Sequence, residues 1–335
     1  MELFELTRAL VDTESITGNE ERVGLQLLDH VSALASRYGG RAERWEVEPR
    51  RADVFACWGE PTVTLSTHMD TVPPFVPSRE DGEHIWGRGA CDAKGIIAAM
   101  LKAAETLLAS GVRNFGVLFV VGEERNSAGA YHAAARPQGC RYLINGEPTE
   151  NKLALGSKGA LRYEIAASGR MAHSAYPELG ESAIDKLLEA LAAIRAIALP
   201  VDDLLGASTL NIGTIAGGRA PNVIADEARA EIMIRLVGDS ADTKQAIDAA
   251  VAGKAEARET IEIPALRLGA IAGMESTVVA FTTDIPAFGG AWGTPFLIGP
   301  GSIHVAHTLE ERILKRQLEE AVGIYQAMVR QLLKN

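Results

Sequence analysis

Apolar residues recur at helical spacing near the start of the chain. Three or four positions separate most of them, which places their side chains on one face of a helix. Thr17 and Glu20 precede this stretch with the spacing of a capping box, and Gly39 and Gly40 follow it. We therefore predict an amphipathic helix of about five turns that begins near the capping box and ends before the glycines. Its apolar positions are Val23, Leu27, Leu28, Val31 and Leu34.

Short apolar runs follow this helix, and a second helical pattern interrupts them. The runs have the length of buried strands, whereas the helical pattern covers residues 96–108. An alternation of strands and helices predicts an α/β domain with a largely parallel sheet. The strand-like runs are residues 54–58, 63–66, 117–121 and 142–144.

The pattern changes in the middle of the chain. Strand-like and helix-like segments follow one another there in the order of a split βαββαβ unit. Such a unit of about 110 residues is large enough to be a domain. We therefore predict an inserted domain at residues 158–271, within a first domain made of residues 1–157 and 272–335. The strand-like segments of the insert are residues 161–166, 209–215, 228–236 and 260–263, and its helix-like segments are residues 182–197 and 243–251.

The end of the chain returns to the first kind of pattern. Residues 276–281 look helical, and residues 296–298 look like a strand. Thr308 and Glu311 repeat the spacing of a capping box before a long amphipathic stretch. We therefore expect the C-terminal helix to begin directly after this box.

Composition and charge exclude several classes of protein. The 335 residues include 33 Lys and Arg against 44 Asp and Glu, which gives a formal net charge of -11. Without a basic surface, neither nucleic acid nor an anionic membrane is an expected partner. Three cysteines without a CxxC pair indicate neither a disulfide framework nor a thiolate zinc site. No secretory signal and no apolar stretch of about 20 residues is visible, so we expect a soluble, cytoplasmic protein.

Acidic and imidazole side chains follow the predicted strands at their carboxyl ends. In an open α/β sheet these ends line one crevice, so side chains that follow different strands can meet there. Asp92 joins this set from a glycine-rich loop before the helix at residues 96–108. Each residue also has an ordinary structural explanation, since Asp92 could cap that helix and a Glu-Glu pair is usually solvated. The residues after the strands are His68 and Asp70, Glu123 and Glu124, Glu147, and His304 or His307.

Together these residues have the chemistry of a metal site. Imidazole nitrogens and carboxylate oxygens without thiolate suit Zn²⁺ and also Co²⁺ or Mn²⁺. Two histidines and three carboxylates are too many ligands for one catalytic zinc, which usually has three protein ligands and an open position. Two metal ions that share one bridging carboxylate would account for this number of ligands. The sequence therefore predicts a site for two divalent metal ions, with zinc as the first choice.

Five sequence strings carry a resemblance to a known family. They occur in the family's order over nearly the whole chain, and they resemble the di-zinc family of acetylornithine deacetylase, succinyl-diaminopimelate desuccinylase, aminoacylase and glutamate carboxypeptidase. The resemblance implies a three-layer α/β/α catalytic domain like that of zinc exopeptidases. It also implies an inserted ferredoxin-like lid domain, through which members commonly form homodimers. The strings are Thr-His-Met-Asp-Thr-Val-Pro (67–73), Gly-Arg-Gly-Ala-Cys-Asp-Ala-Lys-Gly (87–95), Gly-Glu-Glu (122–124), Gly-Glu-Pro-Thr (146–149), and Gly-Pro-Gly followed by Ala-His (299–307).

The resemblance implies a set of ligands for each metal. Asp92 would bridge the two ions and so belong to both sets. The position directly after Ala306 selects His307 over His304 as a ligand. The implied sets are His68, Asp92 and Glu147 for one metal, and Asp92, Glu124 and His307 for the other.

The resemblance also implies roles for residues that do not bind metal. Asp70 would accept the second N–H of His68 and so orient that ligand. Glu123 would be the general base that takes a proton from a metal-bridging water and passes it to the departing amine. The family further implies a cis peptide bond between Asp92 and Ala93.

Three residues of the inserted domain also match the family. Residues 169–177 read Gly-Arg-Met-Ala-His-Ser-Ala-Tyr-Pro and resemble the lid motif, whose histidine stabilises the oxyanion in a partner subunit's active site. That histidine is His173, which without the resemblance would be an ordinary loop residue. Asn222 matches the family's substrate-binding asparagine. Arg235 matches an arginine that binds a carboxylate, although the usual Asp-x-Arg reads Met-Ile-Arg here and leaves its orientation open.

Within the family, the strings favour removal of the acyl group from an N-acyl amino acid. Deacylase and carboxypeptidase members of the family have Glu at the position of Glu147, whereas aminopeptidase members tend to have Asp. The Gly-Glu-Pro-Thr and Gly-Pro-Gly strings further resemble the acetylornithine and acetyl-lysine deacetylase branch, which implies a role in amino-acid biosynthesis. A dipeptidase or carboxypeptidase of the same family is the alternative. Outside the family, a serine hydrolase would need a Gly-x-Ser-x-Gly elbow, which the sequence lacks. A non-catalytic binding protein would have lost a ligand or the base, and none is missing.

Overall fold

The computed structural model describes residues 1–334 and contains the predicted helices except that at residues 276–281. The first predicted helix ends at Tyr38. The next residue, Gly39, has a left-handed φ of 73°, a conformation that favours glycine. Within residues 1–334, no helix is long and apolar enough to cross a membrane. The helices are α1 (Leu3–Val11), α2 (Glu21–Tyr38), α3 (Lys94–Ala109), α4 (Ala128–Ala134), α5 (Ala183–Arg195), α6 (Ala241–Val251), α7 (Ile285–Phe288) and α8 (Lys315–Leu332), with a short 3₁₀ helix at Pro177–Leu179.

Every predicted strand region overlaps an observed strand. The pattern missed the first strand because only Trp45 is buried along it, so its apolar signal is weak. The strands are β1 (Arg41–Glu48), β2 (Arg51–Trp58), β3 (Val63–His68), β4 (Arg79–Glu80), β5 (His84–Trp86), β6 (Phe115–Val120), β7 (Tyr142–Asn145), β8 (Leu153–Ser157), β9 (Gly159–Ser168), β10 (Val201–Asp202), β11 (Gly206–Ala207), β12 (Thr209–Gly217), β13 (Glu227–Leu236), β14 (Glu256–Ile263), β15 (Leu266–Arg267), β16 (Ser276–Val279), β17 (Thr294–Leu297) and β18 (Arg312–Leu314).

Three local predictions were wrong. Thr17 does not cap α2, because its hydroxyl donates to Asp70 Oδ2 at 2.7 Å and the helix begins at Glu21 without a side-chain cap. The segment predicted to be helical from residue 276 contains strand β16 instead. Glu311 does not cap α8, since its carboxylate is buried and strand β18 separates it from the helix start at Lys315.

The chain divides into two compact units. The first comprises residues 1–155, residues 268–277 and the segment from residue 283 onward, and the second comprises residues 156–267 and 278–282. The sequence places the predicted ligands in the first unit and the predicted lid residues in the second. Their functions as catalytic domain and lid remain predictions.

A mixed sheet forms the centre of the first unit. Within this unit its strands follow the order β1-β2-β6-β3-β7-β17-β8, and β16 also pairs with β8. Strands β6, β3, β7 and β17 run parallel to one another, which confirms the predicted parallel sheet for its middle part. The outer pairs are antiparallel: β1 with β2, β2 with β6, and β8 with β17. Because parallel strands end at the same edge, the loops after β3, β6, β7 and β17 share one edge of the sheet.

Helices cover both faces of this sheet and confirm the three-layer prediction. Along β6, Phe115, Val117 and Phe119 join the core formed with α1, α2, α3 and α8. Leu118 and Val120 face the opposite way and join a second core with α4 and α7. This alternation with a period of two is that of a strand buried on both faces. The sheet therefore lies between two layers of helices.

Phe119 provides a test of this core. Its side chain is fully buried on β6, the strand that leads to Glu123. Replacing Phe119 by Ala is expected to lower the free energy of unfolding by about 3–5 kcal/mol, because apolar contacts are lost and a cavity remains. Tyr131, which is 62% exposed, is the matched control, and its replacement by Ala should change stability by no more than about 0.5 kcal/mol. Denaturant titration measures both, and equal losses would contradict the assigned core.

The second unit has the predicted split βαββαβ order. Strands β9, β12, β13 and β14 form a sheet in the order β12-β13-β9-β14, with every neighbouring pair antiparallel. This is the ferredoxin-like arrangement. Helices α5 and α6 contribute to the core on one face of the sheet. The residues of β13 in that core are Ala228, Ala230, Ile232, Ile234 and Leu236.

Candidate metal centre

The predicted residues of the first unit meet at one edge of its sheet. His68 is the last residue of β3, and Glu124 and Glu147 follow β6 and β7 closely. His307 lies in the loop after β17, while Asp92 comes from the loop before α3. The parallel direction of these strands therefore brings together side chains that are far apart in sequence.

The first group of side chains consists of His68, Asp92 and Glu147, all of them buried. His68 Nε2 lies 3.0 Å from Asp92 Oδ1 and 4.0 Å from Glu147 Oε2. One ligand atom from each residue lies within 4.8 Å of the other two. Glu147 Oε1 is buried without a hydrogen-bond partner among residues 1–334, although a buried carboxylate oxygen normally has one. A cation held by this group would supply the missing partner.

The second group consists of Asp92, Glu124 and His307, again with ligand atoms within 4.8 Å of one another. His307 Nε2 lies 3.0 Å from Glu124 Oε1 and 3.3 Å from Asp92 Oδ2. Asp92 therefore turns one carboxylate oxygen toward each group, as a bridging ligand would. His304 belongs to neither group. The peptide bond between Asp92 and Ala93 is cis, as predicted.

The two groups fit a pair of divalent metal ions. They offer two imidazole nitrogens and three carboxylates without a thiolate, which is the donor set expected for zinc, cobalt or manganese. Three carboxylates this close repel one another when all are ionised, and divalent cations would offset that repulsion. The residues present can therefore hold the metals that the sequence predicts.

Asp70 holds the loop that carries Glu123 and Glu124. Its Oδ1 accepts hydrogen bonds from the N–H groups of Gly122 at 3.0 Å and Glu123 at 3.1 Å, and its Oδ2 accepts one from the N–H of Glu124 at 3.3 Å. His68 Nδ1 lies 3.0 Å from the backbone carbonyl of Asp70 and 3.5 Å from its Oδ1. The carbonyl is thus the nearer acceptor for His68, and the carboxylate of Asp70 mainly orients the loop.

Burial and neighbouring charges shift the pKa values of this centre. Burial, together with the charge of Glu147, raises the pKa of Glu123 well above its usual range. Burial also raises the pKa of Glu147. Hydrogen bonds with Asp92 and Glu124 raise the pKa of His307 to about 10. A carboxyl with a raised pKa can accept and return a proton near neutral pH, which suits Glu123 as a general base.

Metal binding is expected to release protons and to strengthen as the pH rises. Since the pKa of His307 is raised to about 10, its ring is protonated at neutral pH, and a metal ion must displace that proton. Below that pKa, the apparent metal affinity should rise about tenfold per pH unit for each proton released. Calorimetry in two buffers of different ionisation enthalpy counts the protons. Binding without proton release would contradict this role of His307.

Two buried carboxylates of the first unit were not predicted as part of this centre. Glu311 accepts a hydrogen bond from the N–H of Asp92 at 3.2 Å. Asp284 is 1% exposed, burial raises its pKa to about 7, and its charge adds to the raised pKa of Glu123. Neither residue directly follows a strand-like run, so the rule that predicted the candidate ligands could not identify them.

The predicted residues of the second unit lie on two neighbouring loops and one strand. His173 and Asn222 are exposed, and the N–H of Ser174 donates to the carbonyl of Asn222 at 3.0 Å. His173 Nδ1 accepts a hydrogen bond from the N–H of Ala175 at 3.1 Å, so the neutral ring carries its proton on Nε2. Arg235 is half-buried on β13, and burial lowers its pKa without a compensating carboxylate among residues 1–334.

Known proteins resemble this chain in sequence and in fold. The family profile described as peptidase family M20/M25/M40 matches residues 64–331. A peptidase M20 domain-containing protein of Schizosaccharomyces pombe is 38% identical over 344 residues, which cover 98% of this chain and 84% of that protein. A probable carboxypeptidase of Aspergillus clavatus is 36% identical over 379 residues, covering 99% of this chain and 83% of that protein. The crystal structure of a tripeptidase from Staphylococcus aureus superposes with a TM-score of 0.83 at 21% identity, over 99% of this chain and 98% of that one.

Proposed function

The chain belongs to peptidase family M20/M25/M40, and we propose that it removes the acyl group from N-acyl amino acids. Membership of the family implies hydrolase activity. Deacetylase activity and a role in amino-acid biosynthesis are more specific, and we propose them in addition. The observation that carries it is the pair of ligand groups that share Asp92, with Glu123 beside the ligand Glu124 in one loop.

The residues of the first unit would divide the chemistry among them. The two groups that share Asp92 would hold two metal ions, proposed as zinc, with cobalt or manganese as alternatives. When bound, these ions would polarise the amide carbonyl and lower the pKa of water. Glu123 would accept a proton at its carboxylate and return it to the amine nitrogen as the amine departs. Asp70 would keep Glu123 in place through the hydrogen bond from its N–H.

The residues of the second unit would bind the substrate. The tautomer of His173 leaves an Nε2–H donor that can stabilise an oxyanion. Asn222 lies on the neighbouring loop and would contact the same substrate. Arg235 would pair with the α-carboxylate of the amino acid, because a guanidinium binds carboxylates in bidentate fashion. Following the family resemblance, we assign His173 to the active site of the partner subunit in a homodimer.

Mixing two inactive variants tests this cross-subunit assignment. Glu123→Gln and His173→Ala dimers should each be nearly inactive, but subunit exchange creates mixed dimers with one intact site. A one-to-one mixture should therefore recover about a quarter of the wild-type activity. Sedimentation velocity verifies that dimers form and exchange. A strict monomer, or exchange without recovered activity, would remove His173 from the partner's site.

A carboxypeptidase or dipeptidase activity is the second candidate. The name of the relative from Aspergillus clavatus, probable carboxypeptidase, favours it. Both reactions release a free amino acid with an α-carboxylate, so Arg235 could serve either one. They differ only on the acyl side of the bond, where a simple acyl group or a peptide would be bound.

A substrate panel decides between these activities. Release of free amino acid would be measured from N-acetyl and N-succinyl amino acids, dipeptides and longer peptides, with protein loaded with zinc or with cobalt. The same protein stripped of metal by a chelator is the control. The deacylase proposal predicts that one N-acyl amino acid is cleaved far faster than any peptide. Preferential cleavage of peptides would overturn it in favour of the second candidate.

A further inference from the structure

Glu311 makes an unusual set of contacts with the loop that carries Asp92. Its Oε1 accepts hydrogen bonds from three backbone N–H groups of that loop, those of Gly89 at 2.9 Å, Cys91 at 3.3 Å and Asp92 at 3.2 Å. Its Oε2 accepts a hydrogen bond from Arg88 Nη1. The Cys91 thiol also donates to Oε1 at 3.7 Å, so one carboxylate binds five donors from residues 88–92.

The backbone of Glu311 contributes to the same interaction. Its carbonyl accepts a hydrogen bond from the N–H of Gly87 at 3.0 Å. Residues 87–92 form no helix or strand, and Gly87 and Gly89 have φ values of 133° and 87°. Of the six backbone N–H groups, those of Arg88 and Ala90 donate to the carbonyls of Val76 and Gly87, both at 3.0 Å, and the other four donate to Glu311. Glu311 therefore accepts most of the backbone hydrogen bonds that hold this loop.

We infer that Glu311 is a positioning residue, which fixes Asp92 so that each of its two oxygens faces one ligand group. This inference rests on the proposed metal centre. Glu311 lies four residues after His307, so its contacts also join the segment carrying His307 to the loop carrying Asp92. A shift of that loop would move the one ligand that both groups share.

The buried charges explain why a carboxylate is needed here. The side chains of Glu311 and Arg88 are each 1% exposed, and a buried charge is tolerated only when it is paired and hydrogen-bonded. A glutamine at position 311 has one acceptor oxygen instead of two. Its amide NH₂ would have to face either Arg88 or the backbone N–H groups, and each arrangement sets donor against donor.

The replacement of Glu311 by Gln tests the inference, and Glu310→Gln is the matched control because Glu310 is an exposed neighbour. Zinc affinity would be measured by competition with a coloured chelator, and the visible spectrum of the cobalt-loaded protein would report ligand geometry. Glu311→Gln is expected to bind zinc roughly 10- to 100-fold more weakly and to alter the cobalt spectrum, as loss of a ligand-orienting partner does. Glu310→Gln should match the wild type.

A second substitution separates positioning from a general loss of stability. In the double variant Arg88→Met, Glu311→Gln, the amide oxygen can face the backbone N–H groups without opposing a guanidinium, so zinc affinity should recover toward the wild-type value. If Glu311→Gln does not fold, Glu311→Asp carries the same expectation of weaker binding, because the shorter side chain cannot reach all five donors.

The outcomes distinguish the inference from the function on which it rests. Wild-type zinc affinity and an unchanged cobalt spectrum in both Glu311→Gln and Glu311→Asp would overturn the positioning role. Lower thermal stability with unchanged zinc affinity would also overturn it. Failure of the wild-type protein itself to bind zinc or cobalt would instead overturn the proposed metal centre.

Discussion

Replacing Glu123 by Gln is expected to lower kcat for the best substrate of the panel roughly 10²- to 10⁴-fold, which is the usual contribution of a general acid–base residue. Glutamine has nearly the same shape as glutamate but cannot accept and return the proton. Glu123 belongs to neither ligand group, so the metal content should stay that of the wild type. The effect should therefore appear in kcat with little change in KM.

Kinetics and metal analysis on the same protein sample check this expectation. Glu60→Gln is the control, because Glu60 is an exposed acid outside both ligand groups, and it should leave kcat and metal content unchanged. Turnover by Glu123→Gln within a few fold of the wild type would refute the assigned base. Loss of activity together with loss of metal would instead place Glu123 among the ligands.

Replacing Asp92 by Asn should have the largest effect on metal binding. Asp92 is the one residue common to both ligand groups, with Oδ1 at 3.0 Å from His68 and Oδ2 at 3.3 Å from His307. Asparagine keeps the shape but loses the charge and one acceptor oxygen. Because even an outer partner of a ligand is worth 10- to 100-fold in metal affinity, loss of this ligand should weaken binding at both positions by at least about 100-fold.

Substitutions of the unshared ligands provide the matched comparison. Glu147→Gln should weaken one position and Glu124→Gln the other, whereas Asp92→Asn should weaken both. Metal content by mass spectrometry under native conditions counts the ions on each variant. A variant Asp92→Asn that retains two tightly bound ions would rule out the shared-ligand arrangement.

The sequence predicted the sheet and the ligand positions because both depend on simple patterns. The apolar runs at residues 63–66 and 117–121 are buried on both faces in the structure, and burial of that kind produces a continuous apolar signal. The polar residues directly after them lie at the carboxyl ends of parallel strands. His68 and Glu124 were therefore predictable without any knowledge of distant contacts.

The errors arose where distant contacts decided the local structure. Thr17 and Glu20 have the spacing of a cap, but Thr17 donates to Asp70, 53 positions away, and Glu20 pairs with Arg51. Glu311 likewise has the spacing of a cap, but it binds a loop more than 200 positions away. A pattern within four residues cannot register such partners, which is also why the contacts of Glu311 with residues 88–92 were missed.

The distribution of the ligands along the chain determines when the centre can form during synthesis. The second unit is built almost entirely from the continuous stretch 156–267, so the ribosome releases most of it before the last part of the first unit exists. The proposed shared ligand Asp92 precedes that stretch in the chain, but His307 and Glu311 follow it. A nascent chain therefore carries an incomplete ligand set until the whole of the second unit has been synthesised, and hydrolytic activity would begin only after that point.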